Sequence, residues 1–150
     1  MKVEISIDRT IADPYAVIHT PALSAELEEL VLLLEREERR PDIITVKEQD
    51  KYVILNPEEI YMIRLEEGNL VIHTEHKTYF SGKRLYELEE QVKESSSHFM
   101  RISKTTLINL KYLESVEPSF SGMMYLKLKN NCRDYISRKY LQDFKKYLGL

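Results

Sequence analysis

The stretch FMRISKTTLINLKYLESVE, Phe99–Glu117, reads as short strands, FMRIS, TTLINL and YLESVE, with the polar residues Ser103-Lys104-Thr105 falling between apolar runs. The same pattern continues in both directions. Upstream, ITVKEQ, KYVILN, EEIYMIRLE, NLVIHTE and KTYFS follow one another from Ile44 to Ser81, with turn candidates at Gln49-Asp50, Asn56-Pro57, Gly68-Asn69 and Glu75-His76. Downstream, MMYLKLK and CRDYIS are joined by Asn130-Asn131 and preceded by the turn Pro118–Gly122. Two helices interrupt the strands. One is predicted from Gly82 to about Glu94, with Leu85, Leu88 and Val92 on one face and Ser81 as its cap. The other runs from Arg138 to Leu148. Many short strands separated by turns, with few helices, predict a mainly β (α+β) unit over residues 43–150.

Residues 1–42 form a separate small β-α appendage in this reading. KVEISI (2–7) and YAVIH (15–19) are predicted strands on either side of the Asp13-Pro14 turn. A helix is predicted from about 22 to 40, with Leu23, Leu27, Leu30, Val31 and Leu34 on one face and glutamates on the other. Thr20-Pro21 and Ser24 are both suitable starts, and Arg39-Arg40-Pro41 suits its end.

The charge is unevenly placed. Residues 1–50 hold 6 Lys+Arg against 12 Asp+Glu, residues 51–100 hold 6 against 9, and residues 101–150 hold 10 against 4. The overall balance of −3 therefore conceals a basic C-terminal third. In that third, FMRISKTTLINL and YISRKYLQDF set cations beside Ser and Thr, the donor combination a nucleic-acid-binding surface needs. No apolar run is long enough to span a bilayer, and MKVEISIDRT lacks the apolar stretch of a secretory signal. With a single cysteine, Cys132, no internal disulfide is possible, and a reducing cytoplasm is the expected location.

Four segments, in order and spacing, resemble the LytTR family of DNA-binding domains. They are EEIYMIRLEEGNLVIHT (58–74), KTYFSGKRLYELEEQV (77–92), FMRISKTTLINLKYLESVE (99–117) and YISRKYLQDFKKYL (135–148). The third carries an aromatic, Arg, a hydrophobe, a few polar residues, then hydrophobe-Asn and a strand. The fourth is a closing Ser-Arg-basic-Tyr helix. The resemblance implies a bacterial transcription regulator built from β-strands, in which loops rather than a recognition helix enter successive major grooves of double-stranded DNA. It also implies a response-regulator-like output domain. Forty residues ahead of it are too few for a phospho-acceptor receiver, so the chain resembles the short stand-alone members, often governed by a membrane-protein partner.

By position, the groove contacts implied by the resemblance fall on three loops: Gly68-Asn69, Lys104-Thr105 and Arg138-Lys139. Lysine and arginine donate to guanine O6 and N7, and Ser and Thr donate to phosphates. Gly68 has no side chain, so Asn69 alone reads from the first loop. Lys104 departs from the small polar residues common at its position. The expected DNA-binding residues are Asn69, Arg101, Ser103, Lys104, Thr105, Arg138 and Lys139. Ordinary readings stand beside these: Arg101 as a solvated strand residue, and Ser103 to Thr106 as a polar turn. Lys83 and Arg84, in the first turn of the middle helix, read either as phosphate contacts or as a solvated helix face. Arg138 and Lys139 oppose the dipole at a helix start, which favours an anionic visitor. Asn109 reads as structural, and Lys145 and Lys146 suit a helix C-terminus.

An enzyme is not expected. His19, His73, His76 and His98 are dispersed, Cys132 has no base nearby in sequence, and there is no phosphate-cradling glycine loop. Neither a metal nor a cofactor nor a small-molecule substrate is expected. A homodimer is, since regulators of this kind read paired half-sites. The alternative is a protein-interaction module that does not bind DNA.

Overall fold

The computed structural model describes residues 2–12, 14–34, 43–96 and 98–150. The chain divides into two compact units, Met1–Glu38 and Arg39–Leu150.

Among the described residues, the first unit holds one element, α1 (Ala25–Leu34). Of the two suggested starts, Ser24 caps it: its Oγ accepts from Leu27 N at 3.3 Å, and its carbonyl accepts from Glu28 N at 2.9 Å. Glu26 and Glu28 occupy the first turn, at the positive end of the helix dipole. The strands expected at 2–7 and 15–19 form no ladder among the described residues. Val3, Ile5 and Ile7 stay exposed, because an alternating segment becomes a strand only when another strand accepts its hydrogen bonds. No residue of α1 is buried, and the expected end of the helix at Arg39-Arg40-Pro41 lies outside the described residues.

Among the described residues, the second unit contains three antiparallel sheets and two α-helices. β1 (Ile44–Glu48) and β2 (Lys51–Leu55) form a hairpin. A five-stranded sheet has the order β5-β4-β3-β7-β6, built from β3 (Met62–Glu66), β4 (Asn69–His73), β5 (Thr78–Ser81), β6 (Phe99–Arg101) and β7 (Thr106–Asn109). A three-stranded sheet has the order β10-β9-β8, from β8 (Leu113–Pro118), β9 (Met124–Leu128) and β10 (Arg133–Ile136). The helices are α2 (Leu85–Ser95) and α3 (Arg138–Leu148).

The five-stranded sheet is central because both its faces are apolar. Ile63, Ile72 and Leu107 pack with Ile44, Val46, Leu88 and Val92, so β1 and α2 cover one face. Met62 and Ile108 pack with Leu126, Leu128, Ile136 and Phe144, so the three-stranded sheet and α3 cover the other. Adjacent residues on one strand thus enter opposite cores, which explains the unbroken apolar runs YMI and LVI and the Leu107-Ile108 pair.

Local chemistry sets the connections. The β3–β4 loop is the two-residue Glu67-Gly68, with φ of 49° and 81° and Glu66 opposite Asn69. Two successive positive φ values define the hairpin turn whose twist matches the flanking strands, and glycine takes the second without cost. Asn69 therefore begins β4 rather than sitting in the turn. Helix α2 starts at Leu85, not Gly82, and Ser81 does not cap it. Ser81 Oγ accepts from Lys83 N at 3.2 Å, whereas Arg84 N donates back to Glu87 Oε2 at 2.8 Å. The glutamate thus closes the first turn from within the helix. At its other end, α3 closes on Gly149, whose φ of 72° suits a left-handed cap.

Candidate nucleic-acid interface

The loop between β6 and β7 is tightly built. Ile102 N donates to Thr106 O at 3.1 Å, and Thr105 N donates to Ser103 Oγ at 3.2 Å. Arg101 stiffens it further. Its Nε donates to Glu89 Oε2 of α2 at 2.8 Å, and its Nη1 donates to the Lys104 carbonyl at 2.8 Å. The Arg101 guanidinium is therefore engaged inside the protein and holds the loop that presents Lys104. Ser103 is half-buried and serves the turn through its hydroxyl, while Lys104 and Thr105 are exposed.

This loop meets two others. An open cleft of about 450 Å³ is lined by Asn69 from the start of β4, by Lys104 and Thr105, and by Ser81, Lys83 and Arg84 from the β5–α2 connection. The sheet order explains the meeting. The β3–β4 turn lies at the C-terminal end of β3, the end at which β7 begins, and Leu65 N of β3 donates to Thr105 O at 2.9 Å. Two of the three expected loops thus share one cleft, together with Lys83 and Arg84. The signal for that pair in the sequence was the placement of two cations immediately before a helix rich in glutamate.

Arg138 and Lys139 do not line the cleft. They are exposed at the start of α3, and the preceding Ser137 N donates to Ile102 O at 2.9 Å, joining this loop to the root of the β6–β7 loop. Ser137 makes no side-chain cap bond to α3, whose first two residues are the cations Arg138 and Lys139. Lys139 Nζ lies 5.6 Å from the Tyr140 ring centre. Asn109 is buried and structural, as its place in an apolar strand suggests: Nδ2 donates to Ile60 O at 3.0 Å, and Oδ1 accepts from Lys111 N at 3.1 Å.

Away from the cleft, Lys51, Lys77, Lys93, Lys111 and Lys127 each have a carboxylate partner, while Lys47, Lys129, Arg133, Lys145 and Lys146 make no ion pair among the described residues. Among the described residues, Arg84, Lys104, Arg138 and Lys139 have none, and Lys83 donates to the neutral Gln91 at 2.9 Å. Exposed cations without internal counter-charges are the ones whose counterions a polyanion can release. The described residues contain no cluster of potential metal ligands, and Cys132 is half-buried with its thiol pushed up by burial.

The LytTr DNA-binding domain family matches residues 50–149. The chain belongs to that family. A regulator from Staphylococcus aureus strain NCTC 8325, named only as an uncharacterized HTH-type transcriptional regulator, is 25% identical over the whole of this chain and 99% of its own length. The sensory transduction protein LytT of Enterococcus faecalis is 24% identical over 74% of this chain, which corresponds to 45% of that protein. In fold, the chain resembles the solved LytTr DNA-binding domain of a Bacillus cereus protein described as a methyl-accepting/DNA response regulator. The TM-score is 0.63, with 20% identity, over 72% of this chain and 97% of that domain. The HTH label on the staphylococcal relative has no counterpart among the described residues, where α2 and α3 are separated by β6 to β10 and form no helix-turn-helix. Among the described residues, no helix is long and apolar enough to cross a membrane.

Proposed function

We propose that this protein is a transcriptional regulator that binds double-stranded DNA with sequence specificity and reads the major groove from its loops. Asn69, Lys104 and Thr105 form one reading edge, Lys83 and Arg84 neutralise phosphate beside it, and Arg138 with Lys139 forms a second edge. The observation that carries this reading is the convergence in one cleft of Asn69, Lys104 and Thr105 with unpaired cations, on a family fold named for DNA binding. An amide suits the adenine edge, and a lysine suits guanine O6 and N7. The uncapped, cation-flanked start of α3 suits a phosphate. Arg101 and Ser103 act by shaping the β6–β7 loop. Two copies on paired half-sites raise the affinity one small domain provides, and a cytoplasmic location follows from the DNA target.

The test is selection of bound duplexes from a random pool, followed by footprinting and a salt titration. With about 4–8 phosphates neutralised, the log-log salt slope is expected at roughly −4 to −7. A flat slope, or equal affinity for a random duplex at physiological salt, refutes the reading.

A further inference from the structure

Five polar side chains interlock on the face of the central sheet that looks toward the three-stranded sheet. Arg64 of β3 is the hub. Its Nε and Nη2 lie 2.8 Å and 2.7 Å from Glu66 Oε1, its Nη1 donates to the Arg133 carbonyl at 2.9 Å, and Nη1 also lies 3.5 Å from Asp134 Oδ2. His73 Nε2–H donates to the same Glu66 oxygen at 2.7 Å, and Thr106 Oγ1 donates to Asp134 Oδ2 at 2.7 Å. Thr106 is fully buried and lies directly opposite Arg64 in the β3–β7 register. No buried side-chain N or O atom among the described residues lacks a partner. A complete network of this kind favours one arrangement of the backbone segments it joins.

Those segments are the roots of the three loops. Glu66 is the last residue before the Glu67-Gly68 turn that delivers Asn69. Thr106 immediately follows Lys104-Thr105. Asp134 lies on β10, which runs through Ile136 and Ser137 into Arg138 and Lys139. Arg64 itself lies outside the cleft lining.

We infer that Arg64 is a positioning residue for DNA recognition: it holds the three loop roots at a fixed spacing, and so sets the preference for the operator over other duplexes. The inference rests on the loop-reading function proposed above. Only a planar guanidinium reaches Glu66 and β10 together. A lysine keeps the charge but is a single point of donation that satisfies one side at a time.

The test uses the full-length protein, a duplex selected by the wild type from a random pool, and a random duplex of equal length. Arg64→Lys leaves the net charge unchanged. It is expected to weaken the selected duplex about tenfold, the size of one lost base contact, and to change random-duplex affinity by less than about twofold, with an unchanged salt slope. Thr106→Val removes one donor at nearly constant volume and is expected to act in the same direction by a smaller factor. Circular dichroism melting identifies any variant that fails to fold, and Thr106→Val then decides. Parallel losses on both duplexes, or no loss on either, overturn the inference while the wild-type preference stands. If the wild type has no preference, the loop-reading function itself fails, and this inference fails with it.

Discussion

Lys104→Ala separates base reading from general charge. The Lys104 backbone is held independently of its side chain: Arg101 grips its carbonyl at 2.8 Å, and the Ile102–Thr106 hydrogen bond closes the loop. The side chain is exposed and pairs with no carboxylate, so truncation should leave folding stability within about 0.5 kcal/mol. All the effect should then appear in binding. If the ammonium reads a guanine, the selected operator loses about 1–3 kcal/mol, roughly 5- to 150-fold, while the random duplex barely changes. If it meets only a phosphate, both duplexes weaken together and the log-log slope becomes shallower by about 0.9. Fluorescence anisotropy titrations of Lys104→Ala, Lys139→Ala and Lys145→Ala across a salt series distinguish the two. The first two residues sit on the loops proposed to read bases, and the third sits at the end of α3, where a cation is favoured by the helix dipole alone. The expected order is a selective loss for Lys104 and Lys139 and a small uniform loss for Lys145. Equal losses for all three would refute base reading by the loops.

Arg101→Ala should weaken operator binding although Arg101 is not a cleft cation, because it frees the Lys104 carbonyl and leaves Glu89 with only Lys93 at 3.7 Å. Faster amide exchange at 103–105 is the accompanying signature, and unchanged exchange with full binding counts against the brace. The Glu66 carboxyl feels burial pushing its pKa up, but the bonds from Arg64 and His73 outweigh that and hold it below its ordinary value of 4.5. A depressed folded pKa contributes stability that is present above about pH 4.5 and lost as pH falls through the lower folded value. Wild type should therefore lose more stability than Glu66→Gln between about pH 5 and pH 3, as read by urea melts, and parallel curves would contradict it. If residues 1–42 build the proposed homodimer, deleting them should lower the mass seen in analytical ultracentrifugation and remove the preference for paired sites in titration. An unchanged mass and preference would assign dimerisation elsewhere.

The legible parts of the sequence were those governed by local rules. The limits of α3 matched, since Ser137 precedes a periodic run that ends at a glycine. The apolar runs of β3, β4 and β7 announced strands. What stayed hidden depended on distant partners. KVEISI has the alternation of a strand, but alternation does not supply a neighbour. The inward turn of Arg101 depends on Glu89, which lies on a helix, and no strand pattern reports it. The Arg64 network left a visible trace in single charged or polar residues set within apolar strands: Arg64 in YMIRLE, His73 in LVIHT and Asp134 in CRDYIS. Nothing in their spacing said that the three would meet, because that follows from β3 pairing with β7 and from β10 packing near β3.

The same packing supports the proposed recognition by loops. Both faces of the central sheet are committed to core through Met62, Ile63, Ile72, Leu107 and Ile108, so the middle of that sheet offers no open face to a duplex. Helix α2 buries Leu88 and Val92, and its body carries four glutamates, Glu87, Glu89, Glu90 and Glu94, against Lys93. Such a helix repels a phosphate-lined groove, and only its approach, Lys83-Arg84, is cationic. Helix α3 buries Phe144 and concentrates its cations at its two ends, with Asp143 between them. A recognition helix needs a continuous donor-rich face, and neither helix supplies one. The places that remain are strand ends, where side chains can change without disturbing either core. On this fold, operator preference should therefore vary through Asn69, Lys104 and Lys139 at little cost in stability, whereas substitutions at Arg64 or Thr106 carry a stability cost along with any change in preference.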